Sequence, residues 1–317
     1  MTETTEYPKL LADIGGTNAR FALLLADRSI SRQHVLPTSD YPDFVQAVRA
    51  YLEWAGQPRI VDAAVAIANP VSGDRLDMTN HDWSFSIEES RRQLGLQRLI
   101  FKNDFTALAM SIPSLSLADY YQVGGAKAVE GEQIAVLGPG TGLGVSGLVP
   151  ADGRWIPLES EGGHVSLSPG NPRECAILEE CWQRFGHVSA ERLVSGMGLQ
   201  NLYQVISKLD GKKPAELSPA QITDKALQGS DSCCEEALQT FCGLLGSVAG
   251  NLALTLAALG GVYIGGGIVP RLGDYFAAST FRHRFEQKGR FSAYLQAIPV
   301  FVIQRDNPAL LGISNAF

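Results

Sequence analysis

The chain has 317 residues, 45% of them hydrophobic and 19% charged, a composition typical of globular proteins and far from that of disordered ones. At about 150 residues per domain, this length predicts two domains. The chain carries 26 Lys and Arg against 33 Asp and Glu, a formal net charge of −7. We therefore expect no nucleic-acid partner, because proteins that bind the phosphate backbone usually present a basic surface.

Two features of the sequence predict a cytoplasmic protein with no membrane span. The first residues, MTETTEYPKL, are polar and acidic and do not resemble a secretory signal, and the five cysteines are few and odd in number. The stretch from residue 237 to residue 270 contains no charged residue. Because glycines interrupt it repeatedly, we predict a buried helix followed by a buried strand.

The first 112 residues alternate between predicted strands and helices. Strands are predicted at Lys9–Ile14 and Phe21–Leu25, joined by a tight turn, and later at 61–68 and 99–102. Helices are predicted at 42–54, after the capping residue Ser86, and at 105–112. This alternation indicates an α/β domain.

The second half repeats part of this pattern. A strand at 133–137, a glycine-rich turn at 138–144 and a returning strand at 145–149 match the strand–turn–strand unit near residue 15, which indicates a duplicated architecture. The remaining predicted elements are helices at 176–185, 198–209, 219–228, 235–259 and 308–313, and strands at 262–264 and 299–303.

Both glycine-rich turns have the composition of a phosphate cradle. In the first turn, Gly15 and Gly16 allow close approach of backbone N–H groups, Thr17 adds a hydroxyl donor, and Asp13 could hold Mg²⁺ directly or through water. An ordinary hairpin turn remains the alternative. In the second turn every second residue from 138 to 144 is glycine, a spacing that fits neither the dinucleotide fingerprint nor a P-loop.

Four polar residues are candidates for chemistry on a hydroxylated substrate. Asp104 follows a buried strand and could accept a hydroxyl proton, although a helix N-cap is the simpler alternative. Asn103, Glu161 and His164 could bind sugar hydroxyls, unless the loop at 161–164 merely carries incidental polar residues.

The cysteines near His164 raise the alternatives of a zinc site and of a structural role. Cys175 and Cys181 are six residues apart, a spacing that closed zinc sites do not use, so both are predicted to be core thiols on a helix. The adjacent Cys233 and Cys234 cannot easily form a disulfide. A structural role in a loop is predicted for His81.

An ordered set of motifs along nearly the whole chain resembles one family, the bacterial glucokinases of the hexokinase and actin-like ATPase superfamily. The segments that carry the resemblance are ADIGGTNARFALL, FKNDFTALAMSIP, GPGTGLGVSGLV, ESEGGHVSLSP, ERLVSGMGLQNLY, GGVYIGGGIVPR and DNPALLG. The cysteine cluster C-x-C-G-x-x-G-C of the related ROK kinases and repressors is missing, and no helix-turn-helix is expected ahead of residue 12. The resemblance is therefore to the branch without zinc.

The resemblance assigns roles to individual residues. It implies that Asp104 is the catalytic base and also contacts the sugar, and that the other sugar-binding residues are Asn103, Glu161, His164 and Glu191. The implied nucleotide-binding residues are Ala12, Asp13, Ile14, Gly15, Gly16, Thr17, Gly140, Thr141, Gly142, Gly265, Gly266 and Gly267. Mg²⁺ is expected to arrive with ATP, near Asp13, and no direct protein ligation of a metal is expected.

The resemblance also implies a fold and an activity. The fold is a two-domain actin-like ATPase fold of the hexokinase type, ribonuclease H-like, with an interdomain cleft; residues 1–112 plus 301–317 would form the small domain and 113–300 the large one. The activity is phosphorylation of D-glucose by ATP in glycolysis, in a protein expected to be a homodimer. The alternatives are a kinase for another hexose, a nicotinamide dehydrogenase, which the glycine spacing disfavours, and a sugar sensor without catalysis.

Overall fold

The computed structural model of the chain describes residues 7–79 and 81–317. The chain divides into two compact units: unit 1 runs up to Leu115 and includes Arg305–Phe317, and unit 2 is Ser116–Gln304. Most of the N-terminal segment used for the localisation prediction, and Asn80, lie outside the described residues.

The strands and helices of the described residues are as follows. The strands are β1 (Lys9–Ile14), β2 (Asn18–Leu24), β3 (Ile30–Pro37), β4 (Asp62–Ile67), β5 (Arg75–Asp77), β6 (Ser84–Ser86), β7 (Arg98–Asn103), β8 (Tyr120–Gln122), β9 (Ile134–Pro139), β10 (Leu143–Ala151), β11 (Arg154–Leu158), β12 (Val262–Ile264) and β13 (Val300–Ile303). The helices are α1 (Phe44–Trp54), α2 (Ile87–Gln93), α3 (Asp104–Ser111), α4 (Pro172–Arg184), α5 (Ala190–Leu193), α6 (Gly196–Leu209), α7 (Pro219–Leu227), α8 (Ser232–Leu256), α9 (Asp274–Ala278), α10 (Phe281–Glu286), α11 (Ser292–Ala297) and α12 (Pro308–Ile313).

The main sheet of unit 1 has five strands in the order β3-β2-β1-β4-β7. The first three strands pair antiparallel, whereas β1, β4 and β7 run parallel, with Ile14 beside Ile67 and Ile67 beside Asn103. This register brings the carboxyl ends of three parallel strands to the same edge of the sheet.

The main sheet of unit 2 repeats this arrangement. Its order is β11-β10-β9-β12-β13-β8, in which β9–β10–β11 pair antiparallel and β9, β12 and β13 run parallel. The two sheets thus share the same order for their first five strands, and unit 2 adds β8 at the edge. Both the expected α/β class and the repeated hairpin are confirmed.

One element lies in a different unit from the one we expected. We expected the last strand in the small domain, but β13 pairs with β12 on one side and with β8 on the other. All four of its residues are buried there, and the boundary between the units falls after Gln304. The apolar sequence of β13 predicts a buried strand but does not indicate which sheet receives it.

The C-terminal helix α12 returns to unit 1 and packs against α3. A Cβ added at Gly312 would lie 1.6 Å from the carbonyl oxygen of Ala107, so the two helices touch through backbone at this point. Leu310 and Ile313 join Leu11 and Ala107 in one buried cluster. The last helix of the chain therefore fixes the position of α3.

Helix α8 forms the centre of unit 2. It is long and apolar enough to cross a membrane, but 67% of its most apolar window is buried inside the protein. Phe241, Leu245 and Ala249 are fully buried in the main hydrophobic cluster, the position expected of a core helix.

The strands β3, β5, β6, β8 and β11 and the helices α5 and α9 to α11 were not predicted. The strand β3 illustrates the reason, since only Leu36 of its eight residues is buried. An edge strand with exposed side chains has no apolar run that would reveal it.

Candidate active site

In unit 1 the predicted site residues follow strands that end at one edge of the sheet. Gly15 follows β1, Asn69 lies two residues beyond the end of β4, and Asn103 ends β7 immediately before Asp104. Ligands of open α/β sheets commonly bind at the carboxyl ends of parallel strands. The edge that carries Asp104 is therefore the candidate site of unit 1.

The first glycine-rich turn is held in shape by Thr38, a buried residue that the sequence analysis did not single out. The N–H of Thr38 donates to the carbonyl of Thr17 at 3.0 Å, and its hydroxyl donates to the carbonyl of Gly16 at 2.9 Å. Among the described residues, no acceptor is bonded to the N–H of Gly16 or of Thr17. The turn can thus present these two donors to an anion.

Asp13 lies near the end of β1, opposite Arg20 of β2. Its Oδ2 is 3.5 Å from Nη1 of Arg20. Burial raises the pKa of Asp13, and the guanidinium of Arg20 partly opposes that rise. By contrast, the side chains of Ala12 and Ile14 are fully buried, so these residues could contact a ligand only through their backbone.

The residue that caps α3 is Asn103, not Asp104. The side-chain oxygen of Asn103 accepts the N–H groups of Phe105 at 2.9 Å and Thr106 at 3.3 Å. Asp104 is the first residue of the helix, half-buried, and its carboxylate also accepts the N–H of Phe105 at 2.9 Å. The helix dipole favours an ionised carboxylate at this position.

Asn69 is a second residue that sequence reasoning missed. It is buried, its side-chain oxygen accepts the N–H of Thr79 at 3.0 Å and the hydroxyl of Thr79 at 2.7 Å, and its carbonyl accepts from the side chain of Asn103 at 3.5 Å. The only sequence signal was the Asn-Pro pair that closes the strand. Asn69 connects the loop after β4 with the start of α3.

In unit 2 the second glycine-rich turn and Glu191 form one cluster. The turn closes through the N–H of Gly140 and the carbonyl of Gly142, 2.8 Å apart. Glu191, on α5, accepts the N–H of Leu143 at 2.9 Å. A Cβ at Gly142 would lie 2.4 Å from the carboxylate of Glu191, so any larger residue here would displace that carboxylate. The turn predicted to bind the nucleotide and the glutamate predicted to bind the sugar are therefore in contact.

The segment Gly265–Gly267 packs directly against the strand that leads into this turn. A Cβ at Gly138 would lie 2.4 Å from the carbonyl oxygen of Gly265, and one at Gly266 would lie 2.4 Å from that of Pro139. Gly266 also has a φ of +81°, which favours glycine. The predicted nucleotide segments of unit 2 thus lie in backbone contact.

Glu161 and His164 lie in a loop that rests on β10. A Cβ at Gly163 would lie 2.0 Å from the carbonyl oxygen of Leu143, so the loop approaches the turn closely. The Nε2 of His164 is 4.0 Å from Oε2 of Glu161, and the two side chains are 60% and 57% exposed. His164 and Glu191 line the same cavity, of about 450 Å³.

The cysteines and their neighbours form no ligand cluster in the part of the chain that the structure describes, where no three His, Cys, Asp or Glu side chains are grouped closely enough to hold a metal ion. All five cysteines are free thiols. The prediction of two core thiols on α4 is half wrong, because Cys181 is buried but Cys175 is exposed. Six residues along a helix rotate a side chain by roughly 240°, which places the two on different faces.

Comparison with known proteins identifies the family. The sequence model described as Glucokinase matches residues 10–317. The chain belongs to the glucokinase family. It is 54% identical over 314 residues to a glucokinase of Aromatoleum aromaticum, covering 98% of this chain and 94% of that one. It is 53% identical over 310 residues to a glucokinase of Neisseria meningitidis, with the same coverage.

The fold agrees with this assignment. A solved glucokinase from an Antarctic psychrotroph aligns with a TM-score of 0.89 and 37% identity, over 98% of this chain and 99% of that chain. The resemblance drawn from the motifs is thus confirmed.

Proposed function

We propose that this protein transfers the γ-phosphoryl group of ATP to the 6-hydroxyl of D-glucose, giving glucose 6-phosphate and ADP in the first step of glycolysis. Membership of the glucokinase family supports the reaction. The structural observation that carries the proposal is the place of Asp104, the first residue of α3 at the carboxyl edge of three parallel strands.

Asp104 is the general base of this proposal. Its carboxylate accepts the proton of the 6-hydroxyl while that oxygen attacks the γ-phosphorus and the bond to the β–γ bridging oxygen of ADP breaks. Asn103 cannot share this role, because its amide does not titrate and its oxygen already caps α3. It serves the sugar through its NH₂ group.

The remaining sugar contacts come from Glu161, His164 and Glu191. Carboxylates and an imidazole can together accept and donate hydrogen bonds to neighbouring hydroxyls. Glu191 has a second function, since it also holds the N–H of Leu143. We infer that it links sugar binding to the shape of the turn at Gly140–Gly142.

The glycine-rich turns bind the triphosphate in this proposal. The N–H groups of Gly16 and Thr17 are directed to one phosphate, and the turn Gly140–Gly142 with Gly265–Gly267 holds the rest of the nucleotide. Mg²⁺ enters as part of the substrate MgATP, which usually needs only one or two protein carboxylates. Asp13 is the carboxylate that fits this need, directly or through water.

The same proposal includes the finer expectations about architecture. These are an actin-like, ribonuclease H-like pair of domains with a cleft, a cytoplasmic location and a homodimer. The shared strand order of the two main sheets supports a duplicated origin.

A coupled assay of ADP release tests the reaction and its substrate. Glucose, mannose, fructose and N-acetylglucosamine should be compared, each with and without Mg²⁺. Glucose with Mg²⁺ should give the highest kcat/KM, and preference for another hexose would transfer the assignment to a different sugar kinase. Glucose binding without ADP release would instead indicate a sensor.

A further inference from the structure

A basic cavity lies beside two of the proposed sugar residues. It has a volume of about 450 Å³, and its lining includes Arg184, Phe185, His187 and Arg192 together with His164 and Glu191. This volume is within the range of about 300–1,000 Å³ typical of small-molecule sites. The arginines and His187 have no part in the proposed reaction.

The two arginines are held by one aromatic ring. The Cζ atoms of Arg184, at the end of α4, and Arg192, on α5, lie 5.1 and 4.6 Å from the ring centroid of Phe185. Such cation–π contacts fix the position of a guanidinium without neutralising its charge. Phe185 therefore keeps two cations at the border of the same cavity.

These two charges have no carboxylate partner among the residues that the structure describes. Arg184 donates to the amide oxygen of Gln204 at 3.3 Å, a neutral group. Among the described residues that line the cavity, Glu191 alone carries a carboxylate, and one of its oxygens already accepts the N–H of Leu143. His187, also in the lining, is hydrogen-bonded to the hydroxyl of Ser166 at 3.0 Å. The lining thus has an excess of positive charge.

We propose that the basic cavity is an anion site that binds a phosphoryl dianion, either inorganic phosphate or the phosphate of a sugar phosphate. Guanidinium groups match the oxygens of phosphate well and remain charged at every physiological pH. Two arginines against one carboxylate favour a dianion over a monoanion. The proposal goes beyond the transfer reaction and depends on neither ATP nor Asp104.

Calorimetric titration with inorganic phosphate, without ATP or glucose, tests the site. Arg184→Gln and Arg192→Gln should each weaken phosphate binding about ten-fold, the loss expected for one charge-assisted hydrogen bond. Arg290→Gln is the matched control, because Arg290 also lies over a phenylalanine, Phe291, but outside the cavity. It should bind phosphate as the wild type does. Melting temperatures confirm that each variant is folded.

Two further titrations identify the ligand class. If glucose 6-phosphate binds more tightly than inorganic phosphate, and Arg192→Gln removes this additional affinity, the ligand of the site is a sugar phosphate. If the two ligands bind with equal affinity, the ligand is free phosphate. Acetate should bind more weakly than either.

Three results would overturn the proposal: no phosphate binding, binding unaffected by both cavity substitutions, or acetate binding as tightly as phosphate. Because these titrations involve no turnover, their failure is separate from any failure of the kinase assay.

Discussion

The carboxylate of Glu191 accepts a hydrogen bond from the backbone N–H of Leu143, 48 residues earlier in the chain, at 2.9 Å. Leu143 is the first residue after the turn Gly140–Gly142. The carboxylate of Glu191 occupies the space that a side chain at position 142 would need. A residue proposed to bind the sugar therefore also supports a turn proposed to bind the nucleotide.

This contact predicts a strong effect of Gly142→Ala. The added methyl would lie 2.4 Å from the carboxylate of Glu191 and must displace it. We expect the KM for both glucose and ATP to rise and the melting temperature to fall. Gly140→Ala is the control for stability, because its Cβ would meet nothing within 4 Å and should leave the melting temperature unchanged. Equal melting temperatures for both variants would contradict the packing argument.

Asp104→Asn tests the general base. The amide can still accept the N–H of Phe105 but cannot take a proton, so kcat should fall by about 10²–10⁴ while glucose affinity changes little. Steady-state ADP release measures this change, with Asp77→Asn, an exposed substitution on β5, as the control. Near-normal turnover of Asp104→Asn would remove this residue from the role.

Glu161→Gln separates binding from chemistry. Its carboxylate is exposed and lies near His164, so loss of the charge should raise the KM for glucose by about ten-fold and lower kcat much less. The matched substitution Glu130→Gln, at an exposed position outside the site, should change neither constant. An unchanged KM in Glu161→Gln would exclude the residue from sugar binding.

The pKa of Asp13 predicts a stability effect with a definite sign. Because burial raises this pKa, folding favours the protonated carboxyl. The stability gained from this preference is fully present below the ordinary pKa of 3.8 and is lost as the pH rises through the raised pKa. Asp13→Asn, which stays neutral, should therefore be more stable than the wild type at pH 7, by an amount that shrinks as the pH falls toward about 4.

Urea unfolding from about pH 4 to about pH 8 measures this difference. Asp27→Asn provides the opposite case, because hydrogen bonds from Ser29 lower the pKa of Asp27, and it should gain no stability at pH 7. A stability gain in Asp13→Asn that did not depend on pH would show that the ionised carboxylate is not its source.

Gly312→Ala tests the contact between α12 and α3. A methyl at this position would lie 1.6 Å from the carbonyl oxygen of Ala107, and the two helices would have to separate. We expect a loss of about 3 kcal/mol in the free energy of unfolding, at the upper end for overpacking. Urea unfolding measures it, and a midpoint equal to that of the wild type would show that the helices can move apart at no cost.

The sequence by itself determined the elements whose signal is local. The strand–turn–strand units, the capped helix after Ser86 and the buried strands predicted at 61–68 and 262–264 depend on periodicity and turn residues within a short window. The structure places each of them within a few residues of the predicted bounds. The ordered motifs likewise determined the family, since they need no knowledge of contacts.

Tertiary structure decided what depends on residues far apart in the chain. The apolar sequence of β13 would suit a buried strand in either main sheet, and its pairing with β12 places it in unit 2. The support of the first turn by Thr38, and the two arginines beside Phe185, also result from packing. A local pattern specifies that a side chain is buried or exposed, but the partner it meets is selected by the free energy of the whole packed unit.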